Sequence, residues 1–210
     1  VQSLVGSEMC IRDSFPTVNA SQSSNGGLQD AVIFQLDQNL SNLLWSTYYG
    51  GSENDAAYSV QLNNNNKAYL TGGTMSDNLI TNSTSIQPDH NGGADGFIAK
   101  FNPTLGSLLK SSYVGTNGYD QCYFVQIDNN DNVFLFGLTT NTYPTFPVGI
   151  YSSLGSQFIH KINSDLDSTL LSTTFGNGTL NKNITPSAFL VSDCGSVSYT
   201  HLRAHETLDN

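Results

Sequence analysis

The sequence predicts an all-β protein, and three observations carry that expectation. Asp30 to Gly51, DAVIFQLDQNLSNLLWSTYYGG, is followed 65 residues later by Asp95 to Thr116, DGFIAKFNPTLGSLLKSSYVGT, which aligns without a gap. Short runs of strand formers such as AVIFQL and LLWSTYY are separated by links rich in Asn, Gly and Ser. Charged residues are only 11% of the 210-residue chain, so its polarity comes from Asn, Ser, Thr and Gly, which suit turns and exposed strand faces. A hydrophobic content of 38% with 10% aromatics is that of a folded protein. The formal charge of -10 argues against a surface that tracks a phosphate backbone, so no nucleic-acid partner is expected. No apolar run approaches the roughly eighteen residues needed to span a bilayer as a helix, and no signal peptide is visible.

The repeat continues beyond the opening pair. Ala56 to Thr74 aligns with Gln121 to Thr139 at the same offset, and a third copy starts at Ser156, 61 residues after the second. The chain divides into the tail of a preceding repeat at 15–29, then repeats at 30–94, 95–155 and 156–197, the last of them truncated. In the first unit the strands are Ala31 to Leu36, Leu43 to Tyr49, Ala57 to Leu62 and Lys67 to Gly72. DQNLSN, GGSEND and the tight NNNN hairpin supply the connections. Four short strands per unit predict one antiparallel sheet per repeat, and a period of this length predicts a β-propeller-like array of about three four-stranded blades, incomplete. A parallel solenoid of the same repeats is the other architecture. Ile33, Ile98 and Ile159, Leu44, Leu109 and Leu170, and Val60, Val125 and Phe189 recur and are expected to pack between neighbouring blades, which each unit needs for stability.

The pattern D-x-F-x-x-K-x-N, then S-x-Y-x-G, then V-x-x-D-x-x-x-N-x-Y-x-x-G resembles the SBBP-type β-propeller repeat of bacterial secreted and surface proteins. In the second unit it falls on Asp95, Phe97, Lys100, Asn102, Ser111, Tyr113, Gly115, Val125, Asp128, Asn132, Phe134 and Gly137. Ser156 in place of the leading Asp, Asn63 in place of the hairpin Asp, and Ser198 in place of an aromatic depart from it. The resemblance implies an extracellular or cell-surface setting. The stretches 1–14 and 198–210 resemble translated sequencing-adaptor DNA and are read as not native, which removes Cys10, His201 and His205 from consideration.

Each remaining candidate has a plain structural reading beside its chemical one. DNNDN, Asp128 to Asn132, lacks the glycine and distant Glu of a calcium loop and reads as a hairpin turn. Cys122 reads as a small buried hydrophobe, and Cys194 as a turn residue or one half of a disulfide. His90 lies in a Gly-rich link, and His160 is placed on the solvent face of its strand. Asp30 and Asp95 recur at the start of their units, which suggests a repeated hydrogen-bonding task in place of a unique active site. The five N-x-S/T sequons, at Asn19, Asn39, Asn82, Asn177 and Asn183, match chance and carry no weight. No catalytic, cofactor-binding or metal residue emerges, and no cofactor is expected. The expected function is a non-catalytic binding or structural module of a larger surface protein, in contact with polysaccharide, other surface proteins or neighbouring blades. The alternative is a fragment of a propeller hydrolase or lyase whose active site lies elsewhere in the parent.

Overall fold

The computed structural model describes residues 15–176, 178–180, 184–193 and 195–203, with side chains described for all of these except 184, 185 and 201–203. Cys10, Cys194, His205, Asn177, Asn183 and the side chain of His201 lie outside the described residues. Twelve strands follow in order: β1 Ala31–Leu36, β2 Leu43–Tyr49, β3 Asp55–Leu62, β4 Ala68–Thr74, β5 Asp95–Asn102, β6 Ser107–Val114, β7 Asp120–Ile127, β8 Val133–Thr139, β9 Gln157–Ile162, β10 Thr169–Phe175, β11 Ile184–Val191 and β12 Val197–Arg203. There is no helix among the described residues. The described part is therefore all-β, and every strand pair within its sheets is antiparallel.

The strands are grouped differently from the repeats. The complete sheets are β3-β4-β5-β6 and β7-β8-β9-β10, flanked by the two-stranded sheets β1-β2 and β11-β12. Each complete sheet thus takes its first two strands from one sequence unit and its last two from the next, in place of the expected one sheet per repeat. Link length misleads here. The five-residue segments 50–54 and 115–119 carry the chain across to the next sheet, whereas the twenty-residue segment 75–94 returns it to the same one. The long link runs outside β6 and bonds to it, with the Asn82 amide donating to the Ser111 carbonyl and the Tyr113 amide to Gln87. Phe146 and Ser172 exchange amide bonds on β10 in the same way, as do Val18 and Ser46 on β2. The outer edge strands are thereby covered, which keeps their free backbone groups from recruiting other chains.

The core lies between sheets. Every residue of β4 and of β8 is buried. Period-two alternation sends Ala68 and Leu70 to a cluster with Ile33, Trp45, Phe97 and Phe101, and Tyr69 to the opposite cluster with Ile98, Val125 and Phe158. On β8, Val133 and Leu135 join that second cluster while Phe134 and Phe136 join a third with Ile159 and Phe189. Of the apolar positions expected between blades, Ile33, Ile98, Ile159, Val125 and Phe189 are buried there. Leu44, Leu109 and Leu170 are exposed, because they sit near the open start of an outermost strand. Val60 is also exposed, although Val125 at the equivalent place is fully buried. The sheet on its side contains only β1 and β2 and does not reach over it.

The recurrent lysine of the motif has a packing role. Lys100 lies opposite Tyr69 on the neighbouring strand, with its ammonium 5.4 Å from the ring centroid, and donates to the Ser164 carbonyl at 2.8 Å. Lys161 repeats this over Phe134 at 4.6 Å and pairs with Asp128 at 2.9 Å.

Phe136 touches the rings of Phe124, Phe175, Phe189 and Tyr199 at the third interface. Phe136→Ala is expected to lower the unfolding free energy by about 3–5 kcal/mol in urea titration. Leu109→Ala is expected to change it by under about 1 kcal/mol, since its side chain is already exposed.

Candidate functional site

Each short crossing between sheets is built around two carboxylates and a glutamine. The Asp95 carboxylate accepts from the Asn91 backbone amide and the Gln87 side-chain Nε2, both at 2.8 Å, and the Gln87 side-chain Oε1 accepts from the Gly115 amide at 2.8 Å. Sixty-five residues earlier Asp30 accepts from Gly26 and Gln22, and Gln22 accepts from Gly50. A second carboxylate completes each turn. Asp120 accepts from the Thr116 amide and hydroxyl, and Asp55 from the Gly51 amide and the hydroxyls of Thr74 and Ser76. Gly50 and Gly115 are required here because a Cβ at either would collide with the Asp30 or Asp95 carboxylate. The repeated hydrogen-bonding task anticipated for Asp30 and Asp95 is therefore present, with Gln22, Gln87, Asp55 and Asp120 as partners. The 65-residue offset was the signal that could have found these four.

Burial makes this network sensitive to pH. Asp95 is pushed up to about 6, first by desolvation and further by the negative charge of Asp120, against the opposing Asn91, His90 and Gln87 contributions. Asp30 is raised for the same leading reason.

The other candidates have structural roles. Asp128 closes its hairpin by accepting from the amides of Asn130 and Asn132, and Asn63 does the same for Asn65 and Lys67. Asn66 and Asp131 take the left-handed conformation those turns need. The two hairpin tips also meet, with the Asn65 amide group donating to Asp131 at 2.6 Å. Cys122 is buried in the second cluster, and desolvation pushes its thiol far up, so it behaves as an inert hydrophobe. His90 sits edge-on to Tyr113 at 5.5 Å. His160 is not on a solvent face. It is buried between the Tyr143 hydroxyl at 2.7 Å and Thr169 at 2.9 Å, because the first strand of its unit is an interior strand of the sheet. Desolvation lowers it to about 4, so its imidazole is neutral at physiological pH. The described residues hold no group of three or more His, Cys, Asp or Glu able to take a metal ion.

A different cluster has surface access and an irregular backbone. Both β3 and β7 carry a β-bulge, at Tyr58 between Ala57 and Ser59 and at Tyr123 between Cys122 and Phe124. A bulge leaves its extra residue outside the ladder and re-aims the side chain. The two rings stack at 5.4 Å with 22° between planes. Between them Gln121 donates to the hydroxyls of Tyr58 at 3.2 Å and Tyr119 at 2.7 Å, and accepts from Tyr123 at 2.7 Å. Tyr58 remains 44% exposed, and a cavity of about 320 Å³ opens beside it, lined by Tyr119, Gln121, Asp55, Met75 and Gly73 among others. Tyr123 is pushed up to about 12 by desolvation, so the phenol stays a neutral donor through ordinary pH. A larger groove of about 840 Å³ between segment 15–29 and β1 brings together no such set, and its Asp30 is already engaged by Gly26 and Gln22.

The tyrosine cluster was not found in sequence. Tyr58 and Tyr123 are 65 residues apart and so are equivalent, yet Tyr119 and Gln121 replace Asn54 and Ala56 of the first unit. Bulge position was the missing datum. No family model matches the chain, and no curated protein matches it significantly.

Asp95→Asn tests the buried pair. The folded pKa of Asp95 exceeds the unfolded value of 3.8, so its stabilising contribution is complete below about pH 4 and is lost as pH rises through about 6. The amide variant is expected to be more stable than the parent at pH 7.5 by about 1 kcal/mol, allowing for screening by nearby water, and to lose that advantage at pH 4. Thermal melts at the two pH values check the sign.

Proposed function

We propose that the chain is a non-catalytic binding or structural module of a larger secreted or cell-surface protein, built from SBBP-type repeats as part of a β-propeller. Its ligand face is the groove of Tyr58, Tyr119, Gln121 and Tyr123. The observation that carries this reading is the pair of bulges, which take two tyrosines out of the ladder and hold them around one glutamine beside an open cavity. Ring faces stack on the C–H faces of sugars, while phenol and amide groups bond to hydroxyls, so polysaccharide is the ligand class this chemistry suits. A protein surface rich in polar side chains would use the same groups. The carboxylates support a binding role over catalysis, since each recurs in the same hydrogen-bonding task at the 65-residue offset and is held by its turn.

The test is retention of the full chain on a panel of immobilised or gel-embedded polysaccharides, followed by isothermal titration with any that retard it. Tyr58→Ala and Tyr123→Ala are expected to weaken binding by about tenfold each, the cost of about 1.4 kcal/mol of lost stacking. Retention by no glycan and no surface protein, or binding by both variants as tight as that of the parent, refutes the reading.

A further inference from the structure

The walls of the tyrosine groove are of three kinds. The half-exposed ring of Tyr58 stands on one side, and Ala56, Gly73, Met75 and Ala94 form a small apolar stretch beside it. Gln29 and Asn54 add two exposed side-chain amides, neither of them bonded to another described residue. Their backbone is nevertheless fixed. The Asp55 amide donates to the Gln29 carbonyl at 2.6 Å and the Met75 amide to the Asn54 carbonyl at 2.9 Å, so both side chains are carried on bonded main chain. We infer that the groove takes a neutral N-acetylated hexosamine, with its acetamido group against the Gln29 and Asn54 amides and the apolar stretch and its ring face on Tyr58. This rests on the polysaccharide reading of the groove and narrows it to one class of sugar.

Size, charge and shape each narrow the choice. A cavity of about 320 Å³ is at the small end for ligand sites and suits a single sugar residue of a chain. Its lining contains no Lys or Arg and the chain carries a formal charge of -10, so a uronate, sulfate or phosphate ester would enter without a counter-charge. A free amino sugar fares no better. Asp55, the one carboxylate in the lining, is buried and already accepts from the Gly51 amide and the Thr74 and Ser76 hydroxyls. A plain hexose is neutral, yet it has only hydroxyls to set against Ala56 and Met75. An acetamido group brings an N–H donor, a carbonyl acceptor and a methyl on one planar unit, which matches two primary amides beside an apolar stretch. The arrangement is also singular among the described residues. The third bulge, between Pro186 and Ala188, holds Ser187 where β3 and β7 hold Tyr58 and Tyr123, so the next interface lacks the second ring. One sugar per chain is therefore expected.

Isothermal titration of the full chain with equal-length β-1,4-linked oligomers of N-acetylglucosamine, glucosamine and glucose reads the result. The N-acetylated oligomer is expected to bind at least about tenfold more tightly than either of the others, at one site per chain. Gln29→Ala and Asn54→Ala should each remove most of that preference, whereas Tyr58→Ala should weaken the N-acetylated and glucose oligomers alike. Equal affinity for those two oligomers, with both weakened in Tyr58→Ala, overturns the inference and leaves the groove a polysaccharide site. A preference for glucosamine, or one for the N-acetylated oligomer that survives both amide variants, overturns it as well. So does binding of none of the three. Retention of the chain by a different glycan then keeps the broader reading, and retention by no glycan or surface protein removes both.

Discussion

Burial of β4 and β8 on both faces is the constraint on which the rest of the structure depends. A sheet whose middle strand presents Leu70 on one side and Tyr69 on the other cannot be stable as a single layer. It must be stacked, and the stacking faces must be filled by rings and branched chains at alternate positions. Phe97 and Phe101 against Trp45 and Tyr49 fill the first face, and Phe136 against Phe124 and Phe175 fills the third. Everything polar is arranged around that requirement. Lysines lie across rings at the sheet margin, and carboxylates hold the crossings by which the chain leaves one layer for the next.

Those crossings show how a short link can be made directional. Five residues are enough for a hairpin, and nothing in their number prevents β2 from turning back onto β3. The Gln22–Asp30–Gly50 and Gln87–Asp95–Gly115 networks hold the link against the preceding segment, and Asp55 or Asp120 then captures its amide from the far side. Asp95 is raised first by its desolvation in this turn and further by the charge of Asp120, which is the cost of burying a carboxylate beside a second one. In the third unit Ser156 stands where the first carboxylate would be, and the corresponding network is absent among the described residues.

Strand existence was legible in the sequence because β-branched and aromatic runs punctuated by Asn and Gly have a local cause. The hairpin at Asp128 and the buried state of Cys122 followed from the same kind of evidence. Strand partnership was less legible, since it depends on which link crosses between layers, and link length points the wrong way. That one error accounts for His160, whose strand is interior, and for Leu44, Leu109 and Leu170, whose strands are outermost. The tyrosine cluster lay beyond reach for another reason. Tyr58 reads as an ordinary alternating strand residue until the bulge is known to take it out of the ladder.

The half-unit offset between repeat and sheet bears on how such a chain lengthens. Were each repeat a self-contained sheet, a duplicated copy would meet its neighbour only through side-chain faces and could slide or detach. Here a duplicated segment beginning at a residue such as Asp95 donates two strands backward and two forward. Every copy gained is stitched by main-chain bonds to both neighbours, and every copy lost leaves a seam that the remaining halves can close. Recombination in whole units therefore changes the number of layers without ever producing a faulty joint.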